Sequence, residues 1–106
     1  MTQVELYQAL KSIGYPVAYG SFPSPVTPPF IVCQFAYSND MMADNVNYVA
    51  IDDFQVELYT AKKDLTAEQK VQDKLKELGL PYRKFETYLD EEKMYQILYE
   101  IQILGG

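Results

Sequence analysis

Between Met94 and Ile103 the chain alternates: Ile97, Tyr99, Ile101 and Ile103 fall on one side of an extended strand, and Gln96, Glu100 and Gln102 on the other. A period of two in apolar residues requires a sheet with one buried face and one open face. Something amphipathic must then cover the buried face, and two segments have the pattern to do so. In the first, Thr2 followed by Glu5 fits a capping box. Val4, Leu6, Tyr7, Leu10 and Ile13 then recur at helical spacing until Gly14 and Pro16, so a helix is expected over 3–13. In the second, Asp64 or Thr66 can cap a helix whose stripe is Leu65, Val71, Leu75 and Leu78. Its Lys70, Lys74 and Glu77 face water, and Gly79 with Pro81 closes it.

The rest of the chain supplies strands and connections. Val17 to Gly20 reads as a short strand. Five of the six prolines fall in residues 15–29, and proline cannot donate to a ladder, so Ser21 to Pro29 reads as a stiff surface connection. Phe30 to Tyr37 is dense in β-formers and is expected to be a strand buried on both faces. Ser38 to Asn47 (SNDMMADNVN) is polar and turn-rich apart from Met41 and Met42, and is expected to project as a loop. Tyr48 to Tyr59 is strand again, but its apolar alternation changes phase. Val49 and Ile51 share one side, whereas Phe54, Val56 and Leu58 share the other, so a bulge at Asp52-Asp53 is expected to bring both sets onto one face. Residues 82–88 form a further strand, followed by the acidic turn Asp90-Glu91-Glu92.

The expected order is therefore α-β-β-β-α-β-β. It describes a single α+β domain over residues 1–106, with an antiparallel sheet of four to five strands and two helices on one face. Short connections are the reason for expecting antiparallel neighbours.

Composition bounds the chemistry. The chain has no histidine and one cysteine, Cys33, which sits in the apolar run Phe30-Ile31-Val32-Cys33 and reads as a small core residue. The usual general base, the usual thiol catalysis and the usual zinc ligands are thus missing. Among the carboxylates, Asp52 and Asp53 point to opposite faces of a regular strand. Asp40 and Asp44 match no calcium-loop spacing, and Asp90, Glu91 and Glu92 look like a solvated turn. No catalytic, cofactor-binding or metal-binding residue is expected. A net charge of −6, with 9 basic against 15 acidic residues, argues against tight binding to a nucleic-acid backbone. No apolar run approaches the roughly 18 residues of a membrane span, and Thr2 to Gln8 is too polar for a signal peptide, so a cytosolic chain without membrane contact is expected. The ten tyrosines are too many for one pocket; about half read as sheet residues and the rest as contacts to a partner.

The segments LKSIGYPVAYGSF, PPFIVCQFAYSNDMMADNVNY, FQVELYTAKKD and LKELGLPYRKFETYLDEEKMYQILYEIQI together resemble small tail-completion proteins of long-tailed phages and prophages of Gram-positive bacteria, most of all the tail-terminator branch. The resemblance runs from Leu10 to Ile103 and carries no catalytic signature. It implies an α+β subunit that forms a ring with copies of itself, a hexamer by that resemblance, on the last tail-tube ring. It also implies contact with the tube protein and a head completion protein, and passage of DNA through the ring without specific binding. No cofactor and no reaction are implied, and the place of such a protein is the virion tail, reached from the host cytoplasm during assembly. The family offers no motif to carry over residue by residue. The expected assembly contact is instead read from the 38–47 loop: Asn39, Asp40, Met41, Met42, Asp44 and Asn45, where two adaptable thioethers stand in a polar stretch. Other readings stay open: a head-side completion protein, an acidic inhibitor that mimics DNA and, as a distant third, a metal-dependent enzyme using Asp52 and Asp53.

Overall fold

The computed structural model describes residues 1–38, 41–43, 46–49 and 51–104, with side chains left undescribed between 41 and 49. Helix α1 spans Gln3–Lys11. Its capping box is formed: Glu5 N donates to Thr2 Oγ1 at 3.1 Å, and Thr2 N donates to Glu5 Oε1 at 3.0 Å. The helix is two residues shorter than its spacing suggested, because Ser12 caps it and Gly14 turns out at φ +109°. Helix α2 spans Leu65–Glu77 and is capped by Asp64, whose carboxylate accepts from Ala67 N at 3.0 Å. Gly79, at φ +70°, ends it and lets Leu80 N reach back to Leu75 O at 2.9 Å. The stripe of α2 is Ala67, Val71 and Leu75; Leu65, expected on it, is 70% exposed at the first helical position.

Seven strands are present among the described residues: β1 (Val17–Tyr19), β2 (Phe30–Ser38), β3 (Met41–Ala43), β4 (Val46–Val49), β5 (Ile51–Thr60), β6 (Arg83–Leu89) and β7 (Met94–Leu104). Five of them form a sheet in the order β1-β2-β5-β7-β6, while β3 and β4 form a separate two-stranded ribbon. The α+β class stands as expected, but the element order gains two strands where a loop was expected. The sheet is mixed and not purely antiparallel, since β1 runs parallel to β2. The cause is the proline-rich segment after Gly20. It is long enough to carry the chain back to the start of β1, so β2 sets off in the same direction. Ile31 N donates to Pro16 O and Gly20 N to Cys33 O, pinning both ends of the crossover.

Both helices cover one face. Leu6 and Leu10 of α1 and Ala67, Val71 and Leu75 of α2 pack against Ile31 and Cys33 of β2, Phe54, Val56 and Leu58 of β5, and Ile97, Tyr99, Ile101 and Ile103 of β7. These are the residues of one strand parity, so the alternation in the last strand does mark the core face. Among the described residues the opposite face carries no helix.

The expected bulge at Asp52-Asp53 is absent. β5 pairs with β7 without a break from Ile51↔Leu104 to Thr60↔Tyr95. The extra residue lies instead in β2, where Phe35 pairs with Phe54 and Tyr37 already pairs with Asp53, leaving Ala36 out of step. Ile51 and Asp53 therefore face the open side of the sheet, and Val49 belongs to the ribbon. The expectation for β2 also changes: it is buried on both faces only at Ile31, Val32 and Cys33, because β1 stops opposite Cys33 and leaves Phe35 and Tyr37 exposed.

Candidate interaction surface

The register divides the sheet into a wide base and a narrow end. At the base, β1 and β6 flank β2, β5 and β7. At the other end β1 has stopped opposite Cys33 and β6 begins only opposite Glu100, so three strands remain. The β3–β4 ribbon continues from this narrow end, between the last residue of β2 and the first of β5. Its pairing runs Met41↔Val49, Met42↔Asn47 and Ala43↔Val46, with a register shift between the two methionines. Of the expected assembly residues, Met41 and Met42 are thus in a strand and not a loop. Asn39, Asp40, Asp44 and Asn45 lie outside the described residues.

Exposed apolar side chains gather near that end. Tyr37 is 59% and Leu104 58% exposed, and Phe35 is 44% exposed with its ring edge against Phe54 at 5.7 Å between centroids. Tyr37 and Leu104 lie with Met1, Asp53 and the segment 79–83 around a concavity of about 670 Å³. One wall of it is the end of β7, residues 101–104.

On the open face at the base, Glu57 is 5% exposed and anchors a polar cluster. Gln34 Nε2 donates to its Oε2 at 2.6 Å, and the Tyr59 hydroxyl donates to its Oε1 at 2.6 Å. Gln96 Nε2 donates to the Tyr59 oxygen at 3.0 Å. Burial, then the neighbouring Glu57 carboxylate, pushes the Tyr59 hydroxyl up to about 12. Phe30 stacks on Tyr59 at 4.9 Å, and Phe22 meets Phe30 edge-on at 5.4 Å, so the proline-rich segment is fastened to the same face.

On the helix face, Glu68 is 2% exposed and each of its carboxylate oxygens carries one ammonium at 2.7 Å, Lys63 on one and Lys84 on the other. Lys63 also reaches Glu86. Burial raises the Glu68 pKa, but the hydrogen bonds and charges of the two lysines outweigh it and leave the group below the ordinary carboxylate value. The sequence reading passed over both carboxylates, though each left a signal. Glu68 stands three residues before Val71 and seven before Leu75, on the stripe itself, and Glu57 interrupts a strand of apolar β-formers.

Asp52 and Asp53 do not share a site. Asp52 sits on the core side opposite Ile103, whereas Asp53 faces outward, where Gln102 Nε2 donates to it at 3.2 Å. Cys33 is buried, and burial pushes its thiol up, which suits a core residue and not a nucleophile. Among the described residues no three metal-ligating side chains come together, and no helix is long and apolar enough to cross a membrane. No protein-family model matches this chain, and no curated protein matches it either.

Proposed function

We propose that this chain is a structural subunit that assembles with copies of itself into a ring ending a phage tail tube, with the tube protein on one side and a head completion protein on the other. The likeness of Leu10–Ile103 to tail-terminator proteins supports the reading, and the β3–β4 ribbon is the structural observation that carries it. A two-stranded ribbon standing alone is marginal in water and gains stability from packing against something else. Here it continues the chain between the last residue of β2 and the first of β5, at the end of the sheet where Phe35 and Tyr37 are exposed. A ring needs a heterologous contact that closes by rotation, and an arm that reaches sideways into a neighbour is one way to make it. The net charge of −6 fits a channel wall that DNA slides past without adhering.

The test is removal of the chain from the phage or prophage that encodes it. Tails of uncontrolled length that fail to join heads are expected. Tails of normal length that lack heads would move the role to the head side, and unchanged virions would overturn the reading.

A further inference from the structure

The edges of the sheet are not equally protected. β6, the outer strand at the base, carries Arg83, Lys84 and Glu86, charges that discourage a further strand from adding there. β1, on the other side, is three residues long and runs into the proline-rich segment. The end of β7 differs from both. Residues Ile101, Gln102, Ile103 and Leu104 pair with β5 on one side, and on the other β6 has not yet begun. That edge is uncharged and free of proline. Among the described residues it has no strand beside it, and the concavity that also touches Tyr37 and the segment 79–83 opens onto it. A sheet edge with these properties is a template for another strand.

The ribbon has the complementary deficit. Among the described residues β3 and β4 pair only with each other, and β4 (Val46–Val49) is an uncharged strand of four residues, the length of the open stretch of β7. We infer that the open edge Ile101–Leu104 of one copy receives strand β4 from the arm of the next copy, so that the sheet of each subunit is extended by its neighbour. Uncharged strand then meets uncharged edge, whereas pairing on β6 would set the arm against Arg83, Lys84 and Glu86. Each copy gives one arm and receives one, and in the proposed ring these contacts close by rotation around the channel and leave no arm or edge unfilled.

This inference rests on the ring reading, and the experiment separates the two. Chains carrying Asn47→Cys and chains carrying Gln102→Cys, both with Cys33→Ala, are mixed, assembled with or without tail tubes, and joined with a short thiol cross-linker. Particle size is followed by sedimentation and by electron microscopy. The expected result is an Asn47-to-Gln102 cross-link between copies, with none when Thr87→Cys on β6 replaces the Gln102 substitution. Rings without the Asn47-to-Gln102 cross-link would overturn this inference and leave the ring standing. No association between copies, alone or on tubes, would overturn both. A cross-link formed within a single chain bearing both substitutions, at dilution, would show the arm folding onto its own edge and would also overturn it.

Discussion

Lys84 Nζ lies 2.7 Å from the Glu68 carboxylate, so the edge strand β6 is tied by charge to the first turn of α2. Lys63, just before the helix, holds the other oxygen at 2.7 Å and reaches Glu86 as well. Glu68 stands in the first turn, where a negative charge also meets the helix dipole favourably. The carboxylate is enclosed, whereas the two lysines are 41% and 37% exposed, and that asymmetry sets what its removal does.

Glu68→Gln is expected to destabilise the fold by about 1–2 kcal/mol. That is below the ~3–5 kcal/mol of a fully buried pair, because both lysines can turn back into water. The urea midpoint at neutral pH should fall with an unchanged slope. A midpoint equal to that of the parent chain would show that the clamp contributes nothing.

Acid acts on the same group. The folded pKa of Glu68 is lowered, so its contribution is present above the unfolded value of about 4.3 and is lost as pH falls through the folded value. Stability should therefore drop more steeply below about pH 4.3 in the parent chain than in Glu68→Gln. Parallel acid limbs in the two would contradict this.

At high pH the sign reverses. Tyr59 is raised to about 12 from 10.0, so its contribution is complete below pH 10.0 and is lost as pH rises towards 12. Phenolate absorbance should show a tyrosine titrating late, and Tyr59→Phe should flatten the alkaline loss of stability. Tyr99 is raised too, by burial first, so the flattening is partial. An alkaline limb identical in Tyr59→Phe would remove Tyr59 from the account.

Sequence left two caps open for α2, and the structure chooses Asp64. Asp64→Ala should cost about 1 kcal/mol, whereas Thr66→Ala should change the melting midpoint little. Equal losses from both would mean that Asp64 is not the cap.

The core face was legible because Ile97, Tyr99, Ile101 and Ile103 repeat with period two, and that pattern survives any uncertainty about neighbours. Register was not. The phase change between Ile51 and Phe54 looked like an inserted residue in β5, yet it arises because Ile51 faces the open side beside Leu104 while the inserted residue, Ala36, sits in β2. A bulge belongs to a pair of strands, and one strand's alternation does not tell which partner holds the extra residue. Parallel pairing of β1 was hidden for a related reason, since direction depends on where the proline-rich crossover lands. The two buried carboxylates left only a positional trace, because one partner of each, Lys84 for Glu68 and Gln34 for Glu57, is distant in sequence.

The arm gives the last prediction. Met41 and Met42 stand next to each other in β3, and the register with β4 shifts between them, from Met41↔Val49 to Met42↔Asn47. A bulge there twists the ribbon locally, and methionine adapts to irregular surfaces without a fixed rotamer. If the arm serves a neighbour, charge at these positions should cost assembly and leave the subunit intact, because α1, α2, β2, β5 and β7 already supply a continuous core. The variant carrying Met41→Asp and Met42→Asp is thus expected to keep the circular dichroism and urea midpoint of the parent chain while failing to cap tail tubes. A folded variant that still caps tubes at the parent length would remove the methionines from the interface. An unfolded variant would place them in the subunit's own packing and count against the arm as a free assembly element.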